Sequence, residues 1–491
     1  MVSRGIGMSI GRAAVAETKA SAAACPARGL SVVVSGAGGA GTPGWRVSQD
    51  TEGPLPDRVG VAASPERPGG AASLAAIALA GHGITAVLTA LLARRMSAPE
   101  FEAYAVAVAL YLVLVALVPL GADKLALRIL PPALNGNASA RTRSYLLFAL
   151  RRLALGTLAV GAIGAFWAFG LRDLEPSVRS AVAAGLVVLP LGAAAQLGLE
   201  VLVASGRGSA ALTIVRIVVP ALVLAAFVAL LQAGAALSGQ SVILAWGVAW
   251  TCAVAAQLAL LRGTVRRLRG VGSEGSPAEW RRASRPLLLY RIALGLMAQS
   301  SVLALDWLGG APVDVGAYAA SSTLVGLMLV LSTTTSRHYA SRAAILLERR
   351  DVKGLHRLSR QRLTWLLPTV ALFTTIGWAF TDDLLRLFNA DFVGAGRWPL
   401  RILLATAAVT MGFGLAPTLL KYRDRNRAVF GVLVVATATQ IVLLALLVPR
   451  WLGTGAALSV AGSSLLLYGS FAWIARGELR RLGASDAGWQ A

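Results

Sequence analysis

Ionisable side chains lie inside several apolar runs of this sequence, and they are its main candidates for chemistry. The stretch LLLYRIALGLMAQSSVLALDWLGG, residues 287–310, carries Arg291 near one end and Asp306 near the other. A charge in hydrocarbon is costly unless it faces water or a partner, so such residues are functional candidates. At about 100° per residue, Arg291, Gln299 and Asp306 fall within one helical sector of about 80°. This polar stripe is typical of a helix that lines a water-filled cavity.

Arg291 is the main candidate for binding an anion. It lies about five residues into its apolar run, which places it roughly 7 to 8 Å deep on a helix. A guanidinium pairs bidentately with phosphate, so we predict that Arg291, together with Gln299, binds an anionic substrate. The alternative is that its long side chain reaches the membrane surface and serves as an anchor.

Further ionisable residues are candidates for proton or ion coupling. His82, in LAGHGITAV, lies near the middle of the first apolar run, where its imidazole could take up and release a proton. A neutral histidine with one hydrogen bond to a neighbouring helix is the alternative. Glu200, in QLGLEVLVASG, is expected to form a structural salt bridge with Arg216 or Arg207, and Asp306 either couples an ion or caps an outer loop. Arg216 is also a candidate for contact with an anionic substrate.

The patterns of catalysis and of metal binding are missing from the sequence. The histidines, His82, His338 and His356, are too scattered for a metal site or a catalytic triad, and there is no GxxxxGK[ST] motif. The two cysteines, Cys25 and Cys252, have neither metal-ligand spacing nor the pattern of a disulfide framework. We therefore expect no catalytic residues, no metal and no cofactor, and ATP-driven pumping by this chain alone is disfavoured.

The elements that position these residues follow from composition. The 491 residues are 56% apolar and 14% charged, with a mean hydropathy of +0.68, which indicates a polytopic membrane protein. The net charge of +23 could suggest nucleic acid, but no soluble basic face or binding motif accompanies it. We expect no nucleic-acid partner.

Hydropathy predicts an all-α integral membrane protein with twelve transmembrane helices, since each apolar run approaches the roughly 20 residues that cross a bilayer. The segment 1–70 is predicted to be a disordered cytoplasmic tail or an over-extended start of the reading frame. The predicted spans are 71–93, 103–121, 153–171, 180–203, 216–235, 241–262, 286–308, 317–336, 363–381, 400–420, 428–447 and 454–475. The sequences GADKLALRIL and RHYASRAAILL look like helical continuations of the second and eighth spans.

Lysine and arginine predict the orientation. Most of the 46 basic residues lie in the connections after even-numbered spans and in the tails, and basic loops stay in the cytoplasm. Both termini are therefore predicted to be cytoplasmic. Arg151 and Arg152, at the start of the third span, are predicted to be interfacial anchors. The basic stretch RHYASRAAILLERRDVKGLHRLSRQR is expected to contact anionic lipid headgroups.

An internal duplication is indicated by matches that recur at one constant offset along the chain. RGTVRRL at 262–268 matches RGELRRL at 476–482, Arg128 matches Arg342, and Tyr104 matches Tyr318. Six helices return the chain to its starting side, so the halves are predicted to be parallel lobes around a central cavity. The predicted parts are an N-lobe at 71–262, a basic cytoplasmic linker at 263–285, a C-lobe at 286–476 and a cytoplasmic tail at 477–491.

Four stretches carry a family resemblance: LLARRMSAPEFEAYAVAVAL, LDWLGGAPVDVGAYAASSTL, LFNADFVGAGRWPLRILLATAAV and LLVPRWLGTGAALS. Together they resemble the polysaccharide flippases of the multidrug/oligosaccharidyl-lipid/polysaccharide exporter superfamily. The resemblance implies translocation of a polyprenyl-pyrophosphate-linked oligosaccharide across the cytoplasmic (inner) membrane by alternating access, around a cationic cavity and driven by ion gradients. It also implies a monomer that works beside a polysaccharide polymerase and export machinery.

Two features depart from this family, and three other functions stay open. Glu102 and Ala103 stand where members often have glycine, and the long amino-terminal tail has no counterpart.

A drug or metabolite antiporter of the same superfamily would favour acidic cavity residues. A membrane enzyme acting on lipid-linked sugars would need a polar cluster in the outer loops, and a scaffold role is the third alternative. The candidates for that cluster are Asp382, Asp383, Asp391, Arg386, Arg397 and Arg401.

Overall fold

The computed structural model describes residues 70–487, except 136–137, 171–172, 269–271, 273, 414 and 424. The predicted tail, up to residue 69, lies outside this part of the chain. The described residues are nearly all helical and include no strand, which confirms the predicted all-α fold. The helices are α1 (Gly70–Arg95), α2 (Ala98–Leu117), α3 (Ala122–Asn135), α4 (Ser139–Gly170), α5 (Pro176–Ala204), α6 (Gly208–Thr213), the π segment (Ile214–Val218), α7 (Val219–Gln232), α8 (Gly239–Arg267), α9 (Pro277–Trp307), α10 (Pro312–Glu348), α11 (Val352–Ala379), α12 (Thr381–Arg386), α13 (Phe392–Gly412), α14 (Ala416–Tyr422) and α15 (Asn426–Ala487).

Nine helices in the described part of the chain are long and apolar enough to cross a membrane. The pair α13 and α14, which is bent between its two helices, makes a tenth if it is counted as a single span. One of the nine, α15, is two helices that meet at a kink, where Leu452 has φ 46°. Its two arms hold the predicted eleventh and twelfth spans. The predicted ninth span lies mostly in α11, which falls outside the nine. Twelve membrane-spanning helices are consistent with this architecture.

Helix bounds differ from the prediction at three connections. The second span ends at Leu117, and GADKLALRIL forms the separate helix α3, because Leu120 and Gly121 adopt positive φ angles of 49° and 78°. By contrast, α10 does continue through RHYASRAAILL. The basic linker is short, since α8 extends to Arg267 and α9 starts at Pro277 and runs on through the seventh span. The carboxyl-terminal tail is helical as far as Ala487.

The helix bounds repeat at the offset that the sequence matches suggested. Ala98 begins α2 and Pro312 begins α10, at the same separation as Tyr104 and Tyr318, and the kink of α15 lies at the position that corresponds to the start of α8. The contacts between the halves repeat as well. Helix α1 packs on α10, and its counterpart α9 packs on α2. The limits of the lobes themselves stay a prediction.

The two ends of the bundle are built differently. The far end, where α1 ends and α2 begins, shares one buried apolar cluster between the halves, with Phe101, Tyr318 and Phe392 among its members. The basic end, where α3 ends and α4 begins, is the predicted cytoplasmic end. There one cluster belongs to α3–α6, α8 and the start of α9, and two others belong to α9–α11, α14 and α15 together with Leu415. The largest core therefore includes residues of both halves, whereas the smaller cores at the basic end belong mainly to one half each.

Candidate functional site

Arg291 lies in the structure where α9 crosses from one half to the other. The preceding turns pack on the first half through Trp280, whose ring contacts Tyr145 edge-on at 5.5 Å between centroids. Two residues after Arg291, Ala293 belongs to a core of the second half. The Arg291 Nη2 lies 3.7 Å from Oδ2 of Asp123 in α3, and the Asp123 side chain is fully buried. The predicted anion-binding arginine thus has an anionic protein partner.

The break between α2 and α3 brings Asp123 to this position. A Cβ on Gly121 would overlap the Ser284 carbonyl oxygen, so glycine allows the break to lie directly on the α9 backbone. The carbonyl groups freed at the break find side-chain donors. Arg152 donates to the Leu120 carbonyl at 3.4 Å, and Tyr145 donates to the Ala122 carbonyl. Arg152, which was expected to anchor the third span at the interface, therefore binds the helix break instead.

Four guanidinium groups gather around this break, and we call Arg152, Arg281, Arg285 and Arg291 the arginine cluster. Arg152 donates to the Ser284 hydroxyl at 3.3 Å. It also lies close enough to Arg281 and Arg285 to interact with both electrostatically. Asp123 is the one carboxylate paired with a member of the cluster among the residues that the structure describes. Positive charge therefore exceeds negative charge at the basic end of the junction between the halves.

His82 and Arg216, which the sequence did not connect, lie together in the structure. Pro220 cannot donate to the Arg216 carbonyl four residues earlier, and the chain forms a π segment there, closed by the Val219 amide to Ile214. Gly81 of α1 packs directly on the Arg216 carbonyl. The adjacent His82 is half-buried and interacts electrostatically with Arg216.

An open groove of about 450 Å³ lies next to this contact, along α7 beside Ile84 of α1. Its lining is apolar except for Gln232. Alanines at every fourth position of α7 have small side chains and therefore leave this volume unfilled. The lining residues are Ile84, Ala221, Leu224, Ala225, Val228, Ala229 and Gln232. This space could accommodate an apolar chain or ring.

Glu200 forms the predicted structural salt bridge, but with a different partner. Its carboxylate pairs with Lys124 of α3 and accepts a hydrogen bond from Gln196 at 3.4 Å. The predicted partners Arg216 and Arg207 lie elsewhere. Arg207 donates to the Leu260 carbonyl, and Arg216 belongs to the π segment beside His82. The prediction missed Lys124 because α3 was read only as a continuation of α2.

The other two residues of the predicted polar stripe lie farther along α9. Gln299 is half-buried. Asp306 lies in the last turn of α9, roughly 22 Å from Arg291 along the helix axis. Beside it Trp307 packs edge-on against Trp167 at the far end. Arg291 and Asp306 therefore serve opposite ends of the bundle, and Gln299 lies between them.

Arg362 is a buried arginine that the sequence placed among headgroup-facing residues. Its side chain is 1% exposed, and it donates to the Met411 carbonyl at 3.1 Å and to the Ser332 hydroxyl at 3.4 Å. Ser332 corresponds, at the repeat offset, to the end of α2. Arg152 thus reaches from α4 to the end of α2, and Arg362 reaches from α11 to the corresponding position within α10.

The polar loop at the far end consists of separate ion pairs. Arg397 pairs bidentately with Asp382, and these hydrogen bonds hold the pKa of Asp382 below its ordinary value. Arg386 pairs with Asp383 at 3.2 Å, and Arg401 stacks on the rings of Trp378 and Trp398. The described residues contain no group of three potential metal ligands. Asp382 and Asp383 are thus each paired with one arginine.

Comparisons with known proteins place this fold among transporters. No known protein-family profile and no curated protein sequence matches the chain. Several solved structures do match over 84% of it. One is an inward-facing multidrug resistance MATE family transporter of the MOP superfamily, with TM-score 0.66 and 11% identity over 99% of that chain. Another is an outward-facing transporter of the same description, with TM-score 0.57 and 14% identity over 96% of that chain.

A third match is a MOP superfamily transporter from Pyrococcus furiosus, with TM-score 0.56 and 13% identity over 96% of that chain. For that protein, a reversed polarity of the binding pocket has been taken to suggest a different function. At such identities the likeness concerns the fold. The chain therefore has the fold of the MATE transporters.

Proposed function

We propose that this chain is a flippase that moves a polyprenyl-pyrophosphate-linked oligosaccharide across the cytoplasmic membrane by alternating access. The observation that carries the proposal is the arginine cluster at the basic end of the junction, where four guanidinium groups face one paired carboxylate. An uncompensated cationic site of this kind attracts a diphosphate and repels a cationic drug.

The arrangement of the cores supports entry from the cytoplasm. The halves share their largest apolar core, which includes the far end, whereas the smaller cores at the basic end belong mainly to one half each, as expected for an inward-facing transporter. A diphosphate that enters from the cytoplasm would meet the arginine cluster first. In this proposal both termini are cytoplasmic and the protein is a monomer of the inner membrane. Anionic lipids contact its basic loops, and a polymerase and export machinery act on its product.

Energy coupling in this proposal involves His82. Its imidazole lies beside Arg216 on the π segment, and π segments often mark functional positions in helices. Proton uptake there would place a second positive charge beside Arg216 and would weaken the α1–α7 contact. The prediction of Asp306 and Glu200 as coupling residues has less support, since Glu200 is held by Lys124.

A drug or metabolite antiporter is the second candidate, favoured by the open apolar groove between α1 and α7. The matched transporters that are described as multidrug resistance proteins point the same way. An enzyme has less support, because each pairing described for the far-end loop joins one carboxylate to one arginine.

Deletion of the gene tests the proposal. We expect surface glycan to disappear while its lipid-linked precursor accumulates on the cytoplasmic face. Normal glycan display with increased sensitivity to cationic drugs would instead establish the antiporter, and unpolymerised units outside would establish an enzyme. Complementation with Arg285→Gln should fail, whereas Arg357→Gln, which changes an exposed arginine of α11, should restore display.

A further inference from the structure

The ion pair between Asp123 and Arg291 lacks hydrogen bonds. Its 3.7 Å separation is within the range of charge attraction but beyond that of an N–H···O hydrogen bond. Neither Asp123 carboxylate oxygen, nor the Arg291 Nε, has a hydrogen-bond partner in the described part of the chain. The carboxylate therefore holds Arg291 by charge alone.

Such a pair binds its own arginine weakly. Taking two charges out of water is costly, and their attraction compensates this cost only with good geometry and with hydrogen bonds to the remaining donors and acceptors. This pair has neither. The guanidinium of Arg291 retains donors for another acceptor, and its side chain is 20% exposed, so that an entering ligand can reach it.

We infer that Asp123 is a counter-anion of Arg291 in the protein without substrate, and that the diphosphate of the substrate replaces it on Arg291. The inference rests on the proposed function in taking the ligand to be a diphosphate. Phosphate oxygens can accept both donors of the guanidinium fork, which the Asp123 carboxylate at 3.7 Å does not do. Arg152 and Arg285 add attraction that favours a multiply charged ligand over a single carboxylate.

Asp123 retains a favourable environment after displacement. It lies in the first turn of α3, a helix of 14 residues, and the dipole at a helix N-terminus stabilises negative charge. After the exchange, the helix dipole therefore still stabilises part of the buried charge of Asp123. Asp123 thereby determines specificity, because a neutral or cationic ligand leaves the ion pair intact and only a stronger anion replaces it.

Binding of inorganic pyrophosphate to the full chain in lipid nanodiscs, measured by titration calorimetry, tests the inference. We expect Asp123→Asn to bind pyrophosphate about tenfold more tightly than the wild type, because no resident anion has to leave. Asp123→Ser, a smaller replacement, should show the same direction. The matched control is Asp382→Asn, which removes an equally charged residue at the far end and should leave the affinity unchanged.

The expected increase in pyrophosphate affinity must depend on Arg291. In an Arg291→Gln background, Asp123→Asn should give no increase in affinity. Unchanged or weaker binding in both Asp123 variants would overturn the inference, as would a gain that persists without Arg291. A failure of the proposed function can be distinguished from a failure of the inference. If the wild type does not translocate the lipid-linked oligosaccharide but Asp123→Asn still binds pyrophosphate more tightly, Asp123 is the counter-anion of a site for a different anion.

Discussion

Gly81 of α1 packs directly against the backbone carbonyl of Arg216 in the π segment. A Cβ on Gly81 would overlap the carbonyl oxygen and lie 2.8 Å from the carbonyl carbon and 2.9 Å from the Arg216 Cβ. No flexible side chain separates the two backbones, so the contact cannot adapt to a larger residue. This contact positions His82 beside Arg216 and sets the separation of α1 and α7 at the apolar groove.

Gly81→Ala should therefore push the two helices apart. Overpacking of this kind typically costs about 1–3 kcal/mol, and we expect a lower melting temperature together with loss of transport. The control is Gly83→Ala, two residues away, whose Cβ would have no atom within 4 Å. Thermal unfolding of both variants in detergent is the measurement. Equal melting temperatures for the two alanine variants would contradict the close packing at Gly81.

Arg362→Ala should destabilise the fold through its buried hydrogen bonds. The substitution leaves the Met411 carbonyl without its donor and opens a space where a fully buried side chain lay, so we expect a loss of about 2–4 kcal/mol in the free energy of unfolding. Arg360→Ala, at an exposed position on the same helix, should change it by less than about 0.5 kcal/mol. A headgroup-facing Arg362 would instead make the two variants indistinguishable.

Gln440→Ala should loosen the first arm of α15 from α9 and from the second arm of α15. The Gln440 amide donates to the Met297 carbonyl at 2.9 Å and to the Ser300 hydroxyl at 3.1 Å, and its oxygen accepts from Ser463 at 2.9 Å. Their loss in a buried position should cost about 2–3 kcal/mol of unfolding free energy. Exposed Gln361 provides the control, since Gln361→Ala removes an amide of the same size. A stability loss no larger than that of the control would argue against this network.

Stability at the far end should depend on pH through Asp382. Hydrogen bonds from Arg397 lower the pKa of Asp382 in the folded state. The pair therefore stabilises the fold above the unfolded pKa of about 3.9, and this contribution is lost as pH falls through the folded pKa. We expect the melting temperature of the wild type to exceed that of Asp382→Asn near neutral pH and to converge with it in acid. A difference that stays constant with pH would exclude this pair as its source.

Most of the fold could be predicted from the sequence because membrane insertion depends on local properties. Runs of about 20 apolar residues form helices wherever they occur in hydrocarbon, so the predicted spans fall largely within the observed helices. The repeat offset that relates Tyr104 to Tyr318 likewise predicted that α2 and α10 are equivalent. The break at Leu120 and Gly121 was not predicted, because nothing in GADKLALRIL excludes a continuous helix.

The sequence by itself determined which residues carry charge into the membrane, since Arg291, His82, Arg216 and Glu200 stand out from any apolar run. Only the tertiary structure decided their partners. Asp123 meets Arg291, and Lys124 meets Glu200, because a helix break turns α3 onto α5 and α9. An ion pair depends on separations of a few ångströms between helices that are distant along the chain, and hydropathy contains no information about such distances.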